Sequence, residues 1–501
     1  MVSARSDRSL DALLLDAAEE APDRAAIVTA DRTVTFRELD AAASSCAAGL
    51  SRFTEPGDVV ALVSTLDPAF AAAYYGIARA RCVVAIVNPL LRGAALRHVL
   101  TLSAARVLIS TPEVAQRLGE DAEGLPPAVE RLIEFGSPAF DELLRADADG
   151  PAAGARKDHD PDDVVCVQFT SGTTGPSKGV QLTHRNLVVN AAQIADAHGL
   201  DADSKMLNHL PNFHPMHLNA GVHAVAEQIL CAAPDSAVAV ETANRHGATH
   251  YYSLPVRLIR LAEDPRLPGL ALTTVRGIQS GGAALPVAAA STLSAHFGVP
   301  VAQGYGLAET SPLTHSDRLD APVPGSVGHV VGDTECRIVD VDLRTTLGAG
   351  RKGEVQVRGP QLMKGYLGLS SPLDADGWFS TGDLGYQDEE GRLFLVDRLK
   401  DVFKHDNWLV SPTEIERVLA RHPAVRECVV FDYPHEQSGA VARALVVLSD
   451  PATPVEEVAA FVNGQVPYYE RIERVTAVEA IPRSHNGKIV RRDLREAALR
   501  A

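Results

Sequence analysis

The segment Phe169-Thr170-Ser171-Gly172-Thr173-Thr174-Gly175-Pro176-Ser177-Lys178-Gly179-Val180 packs five hydroxyls, three glycines and one lysine together. Glycines let backbone N–H groups close on an anion, hydroxyls donate further hydrogen bonds, and the lysine adds a mobile positive charge. Together these make a cradle for polyphosphate. It is not a Walker loop, because Lys178 follows Ser177 and precedes Gly179, where that motif needs a Gly-Lys-Ser/Thr end. By composition alone it could also be a surface loop of turn residues. A second group, His209, His214, His217 and His223, invites a zinc reading but lacks Cys or carboxylate partners at ligand spacing.

The cradle must be held by a folded scaffold, and the chain is long enough for one. It has 501 residues, 46% of them hydrophobic and 22% charged, close to the soluble globular average. Lys and Arg number 47 against 64 Asp and Glu, so the formal net charge is −17. That excess repels phosphate backbones and anionic lipid, and argues against nucleic acid as a partner. Six cysteines stand singly, with no C-x-x-C pair, as expected of reduced core thiols. The N-terminal apolar stretch Leu13 to Leu15 is too short for a signal peptide, and Arg79 and Arg81 interrupt the longest apolar zone, Pro68 to Leu91. A cytoplasmic chain without membrane insertion is expected.

Short β-branched runs, Val59 to Val63 and Val83 to Val87, alternate with helical patterns at Leu39 to Leu50 and Val287 to Phe297. This predicts an α/β fold with largely parallel, helix-covered sheets. Asp147 to Asp163 reads as an exposed connector before a buried strand at Val164 to Phe169, which leads into the cradle. Glu354 to Arg358 belongs to a more irregular β region. After Arg398, helix (Pro412 to Arg421), strand (Glu427 to Phe431), strand (Ala442 to Leu448) and helix (Val455 to Val466) predict a compact α+β unit.

TSGTTGPSKGV is followed in order by Ser280-Gly281-Gly282-Ala283, Gln303-Gly304-Tyr305-Gly306-Leu307-Ala308-Glu309-Thr310, Gly353-Glu354 with Gly365-Tyr366, Ser380-Thr381-Gly382-Asp383, Asp397-Arg398-Leu399-Lys400-Asp401 and Pro482-Arg483-Ser484-His485-Asn486-Gly487-Lys488. The chain thereby resembles the adenylate-forming superfamily of acyl-CoA synthetases, acyl-AMP ligases, luciferases and peptide-synthetase adenylation domains, from Thr35 to Arg492. The resemblance implies a large N-terminal ATP- and acyl-binding domain, 1–398, and a small mobile C-terminal lid domain, 399–501. It implies ATP, Mg²⁺ and CoA as cofactors. A carboxylate would attack the α-phosphorus of ATP, and the acyl-adenylate would pass to a thiol.

By that resemblance Thr170, Ser171, Gly172, Thr173, Thr174, Ser177 and Lys178 hold phosphates and Glu309 ligates Mg²⁺. Tyr305 stacks on adenine beside Gly281, Gly282 and Ala283, in a wall that includes Gln303, Gly304, Gly306 and Ala308. Asp383 accepts from the ribose hydroxyls with Arg398 as a nearby donor. Lys488 bridges the carboxylate and the α-phosphate. Lys400 is the pivot, and Lys404 replaces Lys488 in the second half-reaction. Phe213, His214, His217 and Gly306 line the acyl pocket, with His214 as a gate. No aspartate stands there to pair with an ammonium, so a neutral, apolar acid is expected.

Two positions depart from the pattern. Ala308 stands where a threonine hydroxyl is usual, and Asn407, followed by Trp408, stands where a glycine lines the pantetheine passage. Asn407 can take φ > 0 less freely than glycine, and its side chain with Trp408 could narrow the thiol tunnel. Readings in competition with a CoA ligase are therefore an acyl-AMP ligase loading an acyl carrier protein, an enzyme of one half-reaction, a luciferase-like oxidoreductase, and a nucleotide-binding regulator without turnover.

Overall fold

In a computed structural model, the described residues are 7–121, 123–145, 159–170, 176–211, 214–482 and 489–500. Packing divides the chain into two compact units, Met1–Cys336 with Val357–Phe379 and Arg337–Gln356 with Ser380–Ala501. The first is an α/β unit of helix-covered sheets, as the alternation of strand and helix patterns predicts. The end of strand Leu393–Arg398, where a boundary is expected, falls inside the second unit. The physical reason is a hairpin: this strand pairs with Phe379–Gln387, Asp383 opposite Arg398, so Ser380 to Arg398 packs with the residues that follow.

A seven-stranded sheet in the first unit runs Gly365–Tyr366, Gly179–Thr183, Val164–Phe169, Val83–Val87, Val59–Val63, Val107–Ser110, Arg131–Glu134. Its last five strands are parallel. The β-branched runs form strands with the expected bounds because both faces are covered; Ala61, Val63, Ala85 and Val87 share one core with Leu96 and Val99 of the helix Gly93–Leu102. The helix Phe36–Leu50 starts at a capping box of Thr35 and Glu38. Arg79 is buried with its guanidinium 2.6 Å from Asp40 and 3.4 Å from buried Asp11, partners a charge needs at that depth. No described helix is long and apolar enough to cross a membrane. Of the expected connector, residues 147–158 lie outside the described residues.

A nine-stranded sheet of the same unit places four parallel strands side by side: Lys205–His209, His250–Ser253, Gly277–Ser280 and Val301–Gly306. Side chains alternate across a strand. Leu207, Tyr251, Ile278 and Val301 therefore share one register row and one hydrophobic core. One residue on, Asn208, Tyr252, Gln279 and Ala302 form a row on the opposite face.

In the second unit the strands Phe403–His405, Trp408–Val410, Val425–His435 and Gly439–Leu448 are joined by Ile472–Ala477, which pairs parallel with Gly439–Leu448. The helix Val455–Asn463 makes the crossover between those two parallel strands, and with Pro412–Leu419 it covers a core of Val410, Ile415, Val430, Val446, Val458 and Ile472.

Candidate functional site

The expected phosphate cradle spans two antiparallel strands of one sheet, Val164–Phe169 and Gly179–Thr183. Thr170 N–H donates to the Lys178 carbonyl at 3.0 Å, and Lys178 N–H donates to Thr170 Oγ1 at 3.2 Å, so the loop is pinned at its neck. Ser171, Gly172, Thr173 and Thr174 lie outside the described residues. Lys178 Nζ stands 4.8 Å from the Tyr366 ring centroid, and Tyr366 Oη donates to Glu309 Oε1 at 2.8 Å. Lysine, phenol and carboxylate are thus in series. Burial and the neighbouring Glu309 raise the Tyr366 phenol, which stays a donor at neutral pH. The Gly365-Tyr366 motif carries no site role in the sequence, because its two-residue strand joins the sheet beside Gly179–Thr183 from far along the chain.

The tips of the parallel strands form the next wall. Gly282 holds φ +85°, a conformation that favours glycine. Gly306 has a stricter need, since a Cβ there would lie 1.8 Å from the Pro312 carbonyl oxygen. Gln303 Oε1 accepts from Leu285 N–H at 2.7 Å, which holds the turn after the Ser280-Gly281-Gly282-Ala283 motif. Tyr305 is buried, its ring centroid 5.9 Å from that of His315. Ala308 opens the short turn Ala308–Thr310 that presents Glu309.

Between these tips and the helix Pro215–His223 lies a cavity of about 340 Å³. It gathers His214, His217, Gly281, Gly282, Gln303, Gly304, Tyr305, Gly306 and Ala308 from among the residues expected at the site, together with His198, Tyr252 and Gln279, to which the sequence assigned no role. Strand register sets Tyr252 beside Gln279, and His198, the last residue of the helix His184–His198, reaches Tyr252 through its ring nitrogen. Ala283 is exposed and does not line this cavity, and Phe213 lies outside the described residues. His214 caps its helix, Nδ1 accepting from Met216 N–H at 3.1 Å. Burial pulls the His214 imidazole down to about 4, and burial with neighbouring imidazoles pulls His217 and His198 to about 3, so all three are neutral at pH 7.

The remaining expected residues belong to the second unit. Asp383 is buried and its Oδ1 receives Arg398 Nε at 2.8 Å; Thr381 Oγ1 accepts from Asp383 N–H at 3.1 Å. Lys400 is exposed. Lys404 Nζ meets both Asp342 oxygens, at 2.7 and 2.9 Å, on the surface. Lys488 lies outside the described residues.

Asp406 and Asn407 form a two-residue hairpin loop with φ of 47° and 66°, between His405 and Trp408. Asn407 therefore holds a left-handed conformation, which asparagine tolerates better than other non-glycine residues. Trp408 is exposed and stacks on Tyr469, ring centroids 5.0 Å apart. Asn407→Ala should lower stability by about 1 kcal/mol, since alanine lacks asparagine's tolerance of that region. Thermal unfolding midpoints should rank Ala below Asn and Gly no lower than Asn; an alanine variant that melts with the parent would refute the strain.

The carboxylate of Glu309 and the ammonium of Lys178, joined through Tyr366, make a set suited to a nucleotide polyphosphate with its counter-ion. Comparison with known proteins agrees. The family of AMP-binding enzymes matches residues 14–367, and the AMP-binding enzyme C-terminal domain matches 414–488. The chain is 33% identical over 488 residues to 4-coumarate–CoA ligase 3 of Oryza sativa subsp. japonica, covering 92% of this chain and 86% of that one. The ATP-bound structure of MatB from Rhodopseudomonas palustris superposes with a TM-score of 0.86 at 29% identity, covering 98% of this chain and 99% of that chain. A benzoate CoA ligase from Burkholderia xenovorans superposes at 0.82 with 25% identity, covering 97% and 99%. The chain belongs to the AMP-binding enzyme family, within the adenylate-forming superfamily of acyl-CoA synthetases.

Proposed function

We propose that the protein is an ATP-dependent acyl-CoA ligase that activates an uncharged, largely apolar carboxylic acid as its acyl-adenylate and transfers the acyl group to the thiol of CoA. The observation that carries this reading is the cavity that ends at Gly306 and Ala308, beside the turn presenting Glu309. Its lining is mostly apolar, and among the described residues it holds no Lys, Arg, Asp or Glu to pair with a charged acyl group.

In the first step a carboxylate oxygen bonds to the α-phosphorus of ATP and the bond to the β-phosphate breaks, releasing pyrophosphate. Two anions must meet, so positioning and neutralisation dominate. Thr170, Ser171, Gly172, Thr173, Thr174 and Lys178 are assigned to the phosphates, Lys488 to the reacting carboxylate and α-phosphate, Tyr305 to adenine, and Asp383 with Arg398 to the ribose. Glu309 suits Mg²⁺, because one carboxylate plus substrate phosphates is that ion's usual protein environment. Bound there, Mg²⁺ would neutralise phosphate oxygens. In the second step the thiol sulfur attacks the acyl carbon, AMP leaves and the thiol proton is lost. We assign residues 399–501 to a lid pivoting at Lys400, with Lys404 serving this step and Asn407 and Trp408 lining the thiol's approach. His214, neutral and at the cavity wall, serves as the gate.

The test is a pair of assays on one panel of acids: acyl-AMP formation from ATP without thiol, and thioester formation from synthetic acyl-AMP and CoA. Both should proceed. Adenylation alone would favour a carrier-protein acceptor, and thioesterification alone an enzyme of one half-reaction. Asp383→Asn should raise the KM for ATP about tenfold, as loss of one charge-assisted hydrogen bond would. An unchanged ATP dependence would remove Asp383 from the ribose site.

A further inference from the structure

We infer that Gln279, with His217, selects among acids by pairing with an uncharged hydrogen-bonding group, a hydroxyl above all, carried on the otherwise apolar body of the substrate. This rests on the ligase reading and deepens it. Gln279 lines the cavity and is 6% exposed, yet neither its Oε1 nor its Nε2 has a partner among the described residues. Ser280 Oγ, on the next residue and 5% exposed, and Nδ1 of His217, which also lines the cavity, are likewise unpaired among the described residues. Buried polar groups are almost always paired, and leaving them without partners is costly, so several orphans around one cavity describe what it is built to receive.

The neighbouring polar side chain is accounted for. Tyr252, beside Gln279 in the same register row, has its hydroxyl 3.1 Å from His198 Nδ1, and its ring packs edge-on to His217 with centroids 4.7 Å apart. On the other flank of Gln279 the row continues with Ala302, which also lines the cavity and offers the amide no polar partner. An amide offers both a donor and an acceptor, and a hydroxyl answers either. A charged substituent would find no countercharge, since the lining contains no ionic side chain among the described residues and burial keeps its three histidines neutral at pH 7. A purely hydrocarbon acid would leave the orphans unpaired. A site built to bond a hydroxyl rejects the analogue lacking it far more strongly than an apolar slot rejects a missing methylene.

The experiment uses the full chain with ATP, Mg²⁺ and CoA and measures kcat/KM for pairs of acids that differ only by hydroxyl against methyl, on aromatic rings at each position and on short alkyl chains. In the parent at least one hydroxy acid should exceed its methyl partner tenfold or more. Gln279→Leu should bring that pair within threefold of each other, chiefly by raising KM for the hydroxy acid; His217→Phe should narrow it too, and serves should the first variant fail to fold. Turnover of the methyl acids with equal or better efficiency in the parent overturns the inference and leaves the ligase reading standing. A preference that survives both substitutions also overturns it. No ATP-dependent turnover of any pair would overturn the ligase reading, and this inference with it.

Discussion

Lys488→Ala should lower ATP-dependent acyl-AMP formation by about a hundred- to thousandfold, while thioester formation from supplied acyl-AMP and CoA changes by less than about threefold. The asymmetry follows from the charges each step handles. In adenylation a carboxylate approaches a polyphosphate, and a single ammonium bridging the two offsets repulsion that grows as they close. Alanine offers neither charge nor donor. In thioesterification the carboxylate is already a mixed anhydride, its charge gone, and AMP departs with one phosphate. An ammonium at the former carboxylate then has little left to stabilise. Lys404→Ala should show the reverse pattern, because our assignment gives it the second step. Lys404 is held by Asp342 on the surface, an exposed pair of the kind worth little, so leaving it costs the enzyme little. Single-turnover measurements of the two steps check this, and equal losses in both would refute the division of labour between the two lysines.

What could be read from the residues alone was whatever depends on local pattern. Val59 to Val63, Val83 to Val87, Val164 to Phe169 and Val287 to Phe297 form the expected elements because their apolar periodicity is strong and their ends are marked. The strand Ile472–Ala477 is not legible in the sequence: only Ile472 and Val475 are buried, so neither strict alternation nor a continuous apolar run announces it. The compact second unit likewise depends on Asp383 pairing across from Arg398, a contact that no local propensity encodes. At the site, Gly306 and Glu309 sit in an ordered motif and are legible. Gln279 is not, because its significance arises only when parallel register sets it between Tyr252 and Ala302; Tyr366 stands in the Gly365-Tyr366 motif, but its bond to Glu309 arises only when a two-residue strand brings it there. The neutral character of His214 and His217 is a property of depth, which sequence does not state. The four histidines lack Cys or carboxylate partners at ligand spacing, and in the fold two of them have other partners: His209 faces the Ala233 carbonyl and Ser253, while His214 caps its helix.

Glu309→Gln should reduce kcat/KM for ATP by about a hundredfold or more, and Tyr366→Phe by about tenfold. The two substitutions separate charge from position. Glutamine keeps an oxygen where Tyr366 Oη donates, 2.8 Å from Oε1 in the parent, but it carries no negative charge. Phenylalanine keeps the ring face 4.8 Å from Lys178 Nζ and leaves the Glu309 charge in place, removing only the hydrogen bond that fixes the carboxylate. If Glu309 acts through its charge toward a phosphate-bound cation, the glutamine variant should need a higher Mg²⁺ concentration for half-maximal rate. The phenylalanine variant should keep the parent's Mg²⁺ dependence and lose mainly kcat, as befits a positioning residue. A merely structural Glu309–Tyr366 contact predicts another order: phenylalanine, which abolishes the bond, would then be the more damaging change, and neither variant would shift the Mg²⁺ requirement. Measuring both variants across a Mg²⁺ series distinguishes these outcomes. The same series run on Lys178→Ala should show a raised KM for ATP without a shift in Mg²⁺ dependence, because the lysine's charge is read by the phosphates themselves.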